Sequence, residues 1–350
     1  MISANESLKV DMKKIKRPLL RYTACFILAS CTALSLAHII ANSEPSGPYL
    51  FHELWGYVMK GEETYLSNSM PFTDIGYFSA AINEQGTLPM DIKRPDLRGE
   101  FDKPARVHLV ISATWNKTIM NFCLRPDMPL RQKLLDDIVT LSKDFDGVQI
   151  DFESLNLEDK ENYMTFLAEL RGRIPSKKVF SVAVPARWWT DQNPFDYAEI
   201  AAIADRVIVM AYDEHWRTGE AGPIASLPWC TKVLDFSQKY IPSEKLVMGV
   251  PLYGRAWQVE TLARALKHPQ ATDLCQEKKC DMKLTDGGSP YFEFTDTVHI
   301  AVHFEDMQSL TSKIDAYYHK KIGKLAFWRV GQEPKEFWKT IALPKERYAQ

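Results

Sequence analysis

Eight short apolar runs punctuate the chain, each of a length and composition that suits a β-strand. They are ELWGYVM (Glu53–Met59), TDIGYFSAAI (Thr73–Ile82), RVHLVISA (Arg106–Ala113), GVQIDFE (Gly147–Glu153), VFSVAVPA (Val179–Ala186), RVIVMAYD (Arg206–Asp213), KLVMGVPLYG (Lys245–Gly254) and KLAFWRV (Lys324–Val330). Segments with helical spacing lie between several of them: Leu130–Phe145, Glu158–Ile174, Asn193–Ala204 and Pro228–Tyr240. Strands alternating with helices imply a parallel sheet covered by helices. Eight of them over roughly 290 residues predict a single α/β domain, a (β/α)8 TIM barrel, for which about 250 residues is typical. The stretch between Gly254 and Lys324 breaks the rhythm. It holds a helix-like piece and two strand-like pieces, Tyr291–Asp296 and Val298–Glu305. This predicts a small insertion between strands 7 and 8, about residues 258–305, that walls one side of a cleft.

The fourth run, within FDGVQIDFES (Phe145–Ser154), differs from the others in its polar positions. With the two-residue period of a strand, Val148, Ile150 and Phe152 share one face, and Gly147, Gln149, Asp151 and Glu153 share the other. Helical patterns flank the run, so its apolar face meets helices and its polar face points into the barrel. Carboxylates are costly in such an interior and need a reason to be there. Asp151 and Glu153 stand ~6.7 Å apart along a strand, near enough for both to reach one substrate linkage. Barrels of this kind carry their chemistry at the C-terminal strand ends, where both residues fall.

Composition excludes more than it adds. With 45% hydrophobic residues, 25% charged residues and a net charge of −2, the chain is an ordinary enzyme-sized domain, and nothing in its charge calls for nucleic acid. No internal repeat or zinc-type Cys/His spacing is present. The N-terminus is different. Lys9, Lys13, Lys14, Lys16, Arg17 and Arg21 precede nineteen residues, Tyr22–Ile40, without a charged side chain apart from His38. Basic residues ahead of an apolar run hold that end in the cytoplasm and direct the chain beyond the run outward. Residues 1–42 are therefore expected to export the protein to the cell envelope and to associate it with the membrane. Three modes fit: a retained anchor, a signal cleaved near Ala41, or a lipoprotein signal in which Leu28-Ala29-Ser30 precedes an acylated Cys31. Residues 43–49 read as a linker and residues 50–345 as the barrel. In an exported protein Cys275 and Cys280 suit either a disulfide closing a small loop or two free thiols, while Cys123 and Cys230 suit buried apolar positions.

The spacing D-x-x-D-x-D-x-E at a strand end is the signature of glycoside hydrolase family 18, the chitinase-like hydrolases. Asp146, Gln149, Asp151 and Glu153 resemble it at three of the four acidic positions. Met210–Asp213 (MAYD) is similar to the family's sixth-strand M-x-Y-D, Gly249–Trp257 (GVPLYGRAW) to its seventh-strand G-x-P-x-Y-G-R, and Val182–Arg187 to its fifth strand. Trp328 resembles its eighth-strand tryptophan, so the likeness runs from Glu53 to Gly331. MAYDEHW followed by GPIASLPW, with HFEDMQSL closing the insertion, looks most like the bacterial spore-cortex hydrolases that attack peptidoglycan. Those enzymes often carry LysM repeats, and none is visible here.

The resemblance implies a monomeric glycosidase that cleaves β-linked N-acetylglucosamine polymers, peptidoglycan or chitin-like, with no cofactor and no metal. It gives Glu153 the role of proton donor to the glycosidic oxygen, while the substrate's own N-acetyl oxygen attacks the anomeric carbon. Asp151 then holds the acetamide N–H and Tyr212 donates to the acetamide oxygen. Trp328 floors the pocket, Asp213 and Arg255 form a charged pair, and Met210, Gln149 and Asp146 complete the supporting set. Asp146, just before Gly147, reads as structural, orienting the turn into the strand or bonding within it.

Gln149 departs from the family pattern, which has Asp there, able to exchange a proton with the position of Asp151. An amide can donate and accept but cannot ionise. Its neutrality is expected to ease ionisation of Asp151. Two other readings stand beside the hydrolase. One is a non-catalytic, lectin-like member of the same family, although such proteins usually lose the acid that Glu153 retains. The other is a divalent-metal hydrolase built on Asp151, Glu153, Asp213 and His215, for which a His-rich ligand set is missing.

Overall fold

All eight apolar runs become strands, and the strands close on themselves. The computed structural model describes residues 47–97, 104–258, 268–284, 290–295, 297 and 300–345. The expected export segment, residues 1–42, lies outside them; among the described residues no helix is long and apolar enough to cross a membrane. The barrel strands are β1 (Glu53–Met59), β2 (Asp74–Ala81), β3 (Arg106–Ser112), β4 (Gly147–Asp151), β5 (Val179–Pro185), β6 (Arg206–Met210), β7 (Leu246–Pro251) and β8 (Lys324–Trp328). Neighbours in sequence are neighbours in the sheet and all pair in parallel, with β8 joining β1 through Leu325 opposite Leu54. Helices α1 (Lys117–Leu124) and α2 (Pro129–Leu141) follow β3, and α3 (Lys160–Arg173), α4 (Tyr197–Ile203) and α5 (Leu227–Tyr240) follow β4, β5 and β6. Helix α6 (His268–Glu277) lies in the insertion and α7 (Met307–His319) leads into β8. The expected helix from Asn193 starts later because Asp196 caps it, its side chain accepting from the amides of Ala198 and Glu199 at 3.2 and 3.1 Å.

The two-residue period sorts the core into two layers. Outward residues such as Val148, Ile150 and Phe152 pack with Tyr163, Phe166, Leu167 and Leu170 of α3. Seven inward residues from six strands, Trp55, Tyr57, Val110, Ala183, Ile208, Val247 and Ala326, form a separate cluster that fills the barrel.

The N-terminal end of the barrel interior holds charges, and each has its partner. Arg206 on β6 donates to both oxygens of Glu53 on β1, at 2.8 and 2.6 Å. Arg106 on β3 donates to both oxygens of Asp74 on β2, at 2.7 and 3.0 Å, and His108 Nε2 lies 2.7 Å from the same carboxylate. Burial pushes both acids upward, but the cations outweigh it. Glu53 sits below the usual carboxylate range because of Arg206 and Arg106, and Asp74 is held at about 2 by His108 and Arg106. Asp146 belongs to this end too. Its carboxylate accepts from the Val107 amide at 2.8 Å and from Arg94 at 3.0 Å, at the opposite end of β4 from Asp151. It ties the turn into β4 to the start of β3 and lies away from Asp151 and Glu153.

The insertion is anchored by an antiparallel pair, Arg255–Gln258 with Ile300–His303, and a second short ladder joins Lys283–Leu284 to Pro290–Tyr291. The two strand-like pieces are therefore shorter than the sequence pattern suggests. Cys275 and Cys280 carry free thiols. The Cys280 amide closes the end of α6 on the Cys275 carbonyl at 2.9 Å, and the Cys275 thiol donates to the Cys280 carbonyl at 3.2 Å, so the backbone takes up the contact that a disulfide would need. Cys123 and Cys230 are buried.

Replacing Glu53 by Leu leaves the Arg206 guanidinium without its carboxylate, while Arg106 keeps Asp74. The expected loss is about 3 kcal/mol of stability, read as a lower urea midpoint. Turnover per folded molecule should not change, because the network lies at the end of the barrel away from the carboxylates of β4. An unshifted midpoint would mean that water already satisfies Arg206.

Candidate active site

At the C-terminal strand ends a cavity of about 780 Å³ opens, within the size range of small-molecule sites. Tyr57, Phe78, Gln149, Asp151, Glu153, Met210, Tyr212, Asp213, Arg255 and Trp328 all line it. Every expected site residue except Asp146 is thus brought to one place.

Strand β4 aims its acids by anchoring their neighbour. The Phe152 ring sits 6.1 Å from Tyr163 and 5.8 Å from Phe166 of α3, between ring centroids. With Phe152 committed to the helix layer, Asp151 and Glu153 must face the other way. Regular pairing ends at Asp151, opposite Ser112, so Glu153 stands past the strand at the open mouth of the cavity.

The electrostatics reverse those at the other end. Asp151 is buried with no cation beside it, and burial, then the charge of Glu153, push it up to about 8. Glu153 is also raised, by burial and then by Asp213. The neutrality of Gln149 removes one like charge from Asp151, but desolvation is the larger effect. Asp151 Oδ1 is buried without a hydrogen-bond partner, and the Tyr57 hydroxyl and Gln149 amide lie buried near one another on the same wall. Such groups are rare singly. Together on the wall of a cavity they offer hydrogen bonds to a polar ligand.

Aromatic rings form the floor. Trp328 lies 4.8 Å from Phe78 and 5.6 Å from Tyr57, and the peptide from Trp328 to Arg329 is cis. Two glycines leave room for this arrangement. A Cβ on Gly76 would come within 2.4 Å of the Tyr57 ring, and one on Gly249 within 2.9 Å of the Tyr212 ring.

Tyr212 follows β6 through tight turns, its amide bonding to the Met210 carbonyl at 2.8 Å. Asp213 then adopts φ +59°, an unusual conformation for a non-glycine residue. Its Oδ1 accepts from Arg255 at 2.6 and 3.2 Å and from the Tyr253 hydroxyl. That contact ties the loop after β6 to the insertion's first strand. His215 faces elsewhere, its Nδ1 3.0 Å from the Pro223 carbonyl. Among the described residues no three His, Cys, Asp or Glu side chains group closely enough to hold a metal ion.

Sequence reasoning missed Tyr57, Phe78, Tyr253, Trp115 and Trp216. Tyr57 was accessible to it, being on the same face of β1 as Trp55. Trp115 and Trp216, 80% and 63% exposed, are too open to be core and line the cavity from loops beyond β3 and β6. Nothing in their local sequence separates them from other loop tryptophans.

The sequence pattern of the glycosyl hydrolases family 18 matches residues 96–333. The uncharacterized glycosylase YvbX of Bacillus subtilis is 32% identical over 75% of this chain and 81% of its own length. The cortical fragment-lytic enzyme of Bacillus anthracis is 24% identical over 77% and 68%. Among solved structures, the spore cortex-lytic enzyme SleL of Bacillus cereus superposes with a TM-score of 0.65 at 24% identity, over 86% of this chain and 77% of that one. The class V chitinase of tobacco gives 0.59 at 18%, over 83% and 97%, which shows the shared barrel fold alone. With the acidic end of β4, the aromatic floor and the match over most of the barrel in agreement, the chain belongs to glycosyl hydrolase family 18.

Proposed function

We propose that the protein cleaves β-linked N-acetylglucosamine in peptidoglycan or a chitin-like polymer, with retention and with assistance from the substrate's acetamide. The observation that carries this reading is the unequal pair of acids on β4. Asp151 is buried without a cation, and Glu153 is open to the cavity. Glu153, its affinity for protons raised, donates to the glycosidic oxygen as the bond to C1 breaks. The acetamide oxygen attacks C1, and the resulting oxazolinium carries positive charge. Asp151 accepts the acetamide N–H. Its proton is released to solvent as the substrate binds, and the carboxylate then faces the charge that forms beside it, so its stabilisation is strongest in the transition state. Tyr212 donates to the acetamide oxygen. Water then attacks C1 and gives its proton to Glu153. Trp328, Tyr57 and Phe78 receive the apolar face of the sugar, and Gln149 supplies amide hydrogen bonds at the cavity base.

The cortex-lytic relatives support peptidoglycan as the polymer, and the basic residues ahead of Tyr22–Ile40 support action outside the cytoplasmic membrane.

Three outcomes test the mechanism. Glu153→Gln should lower turnover by roughly 10²-fold or more and leave oligosaccharide affinity nearly intact, measured by product release and titration calorimetry. Turnover like that of the wild type would remove Glu153 from its role. A thiazoline analogue of N-acetylglucosamine should inhibit, whereas EDTA should not; activity lost in EDTA and restored by a divalent ion would point to metal catalysis instead.

The third outcome concerns Asp151. Its folded-state value of about 8 lies above the ordinary 3.8, so the folded protein binds this proton more tightly than the unfolded chain. The stability it contributes is complete below the ordinary value and is lost as pH rises toward 8, by about 1.4 kcal/mol per pH unit. Asp151→Asn avoids that loss. Its melting temperature should match the wild type at pH 4 and exceed it by several degrees at pH 7.5. A difference that does not change with pH would show that Asp151 is not held neutral.

A further inference from the structure

Among the described residues two cations line the catalytic cavity, Arg217 and Arg255, and their surroundings differ. Arg255 is already committed. It donates twice to Asp213 Oδ1, and its guanidinium lies 5.3 Å from the centre of the Tyr253 ring. Arg217 is exposed, and no carboxylate among the described residues pairs with it.

The loop that carries Arg217 is built rather than loose. Glu214 staples its base: the Glu214 amide donates to the Ile224 carbonyl at 2.9 Å, and the carboxylate accepts from the Ser226 amide at 2.7 Å and hydroxyl at 3.0 Å. Within the loop the Gly219 amide closes a turn on the Trp216 carbonyl at 3.0 Å. The His215 ring fills the space beside Gly222, where a Cβ would come within 2.5 Å of it. Trp216, Arg217 and Thr218 all line the cavity, so this stapled loop presents an uncompensated positive charge to whatever binds there.

A free guanidinium on the wall of a substrate cavity is a recognition group for an anion, because its planar fork matches the two oxygens of a carboxylate. The other charges nearby do little to oppose one. Arg255 neutralises Asp213, and burial raises the proton affinity of both Asp151 and Glu153. A strand of N-acetylglucosamine alone has no negative charge to offer. In peptidoglycan every second sugar bears a lactyl ether, whose carboxyl is either free or joined to a peptide with carboxylates of its own.

We propose that Arg217 is a specificity-determining residue, which pairs with a carboxylate carried by the strand and so favours peptidoglycan over uncharged chitin-like polymers. The inference deepens the proposed function and rests on this cavity binding an N-acetylated glycan.

The test reads binding apart from cleavage. The probes are peptide-free peptidoglycan strands, the same strands with their lactyl carboxyls amidated, peptide-bearing strands, and chitin oligosaccharides of matched length. In the Glu153→Gln background at low salt, Arg217→Gln should weaken affinity for the peptide-free strands about fivefold by titration calorimetry, and Arg217→Lys should retain most of it. Amidating the strands should cost the Arg217 protein the same factor and cost Arg217→Gln nothing further. Salt at about 0.5 M should remove most of the difference. In the otherwise native enzyme, Arg217→Gln should raise KM on charged strands several-fold more than on chitin oligosaccharides. An effect seen with peptide-bearing strands alone would support the pairing and assign the carboxylate to the peptide. Equal losses on charged and amidated strands would overturn the proposal and leave the catalytic reading intact. Charge-dependent binding by a native protein that hydrolyses none of the probes would keep the role of Arg217 and remove the catalytic reading. No affinity for any of the glycans would overturn both.

Discussion

A closed barrel has no edge and little water inside, so every polar group on its inner face must be answered from within or left unanswered. This chain does both along the same strands. At the N-terminal end, Glu53 and Asp74 are buried, yet Arg206, Arg106 and His108 hold them ionised. At the C-terminal end, Asp151 is buried as deeply and no cation faces it, so burial and the charge of Glu153 raise its affinity for a proton. The difference is not one of residue type. It lies in whether a neighbouring strand presents a guanidinium at the same level of the barrel.

The unanswered end is costly by ordinary accounting. Buried polar groups of Gln149, Asp151 and Tyr57 share one wall, and Asp213 adds an unusual backbone conformation nearby. Sites that bind and react often concentrate such features, because a group already satisfied within the protein has less to give a ligand. The surrounding packing holds them in place. Phe152 is fixed in the helix layer, the Tyr57 and Tyr212 rings occupy space that two glycines leave, and Arg255 with Tyr253 restrains Asp213.

Gln149 shows how a departure from a family pattern is absorbed. An acid at that position would place a third carboxyl in a space that already resists charge. The amide keeps hydrogen-bonding capacity on the barrel wall without adding to the repulsion. Burial alone still raises Asp151, so the proton affinity that the proposed mechanism uses does not depend on a second acid at position 149.

Much of this was legible in the chain itself. Period-two alternation set the inward face of β4, and the count of apolar runs separated by helices determined the barrel and its strand order. Both are local properties, repeated often enough to leave few topologies. The family motifs brought Asp151, Glu153, Tyr212, Asp213, Arg255 and Trp328 together before any coordinate did. Other features were decided only by tertiary structure. Asp146 sits in the same motif as Glu153, yet a strand of five residues carries the two to opposite ends of the barrel. Cys275 and Cys280 have a spacing that allows a disulfide, but the turn after α6 satisfies them otherwise. Tyr57, Trp115 and Trp216 reach the cavity from three separate segments. Local pattern determines which way a side chain points; which groups meet, and which charges go unpaired, depends on neighbours distant in sequence that only the closed barrel brings alongside.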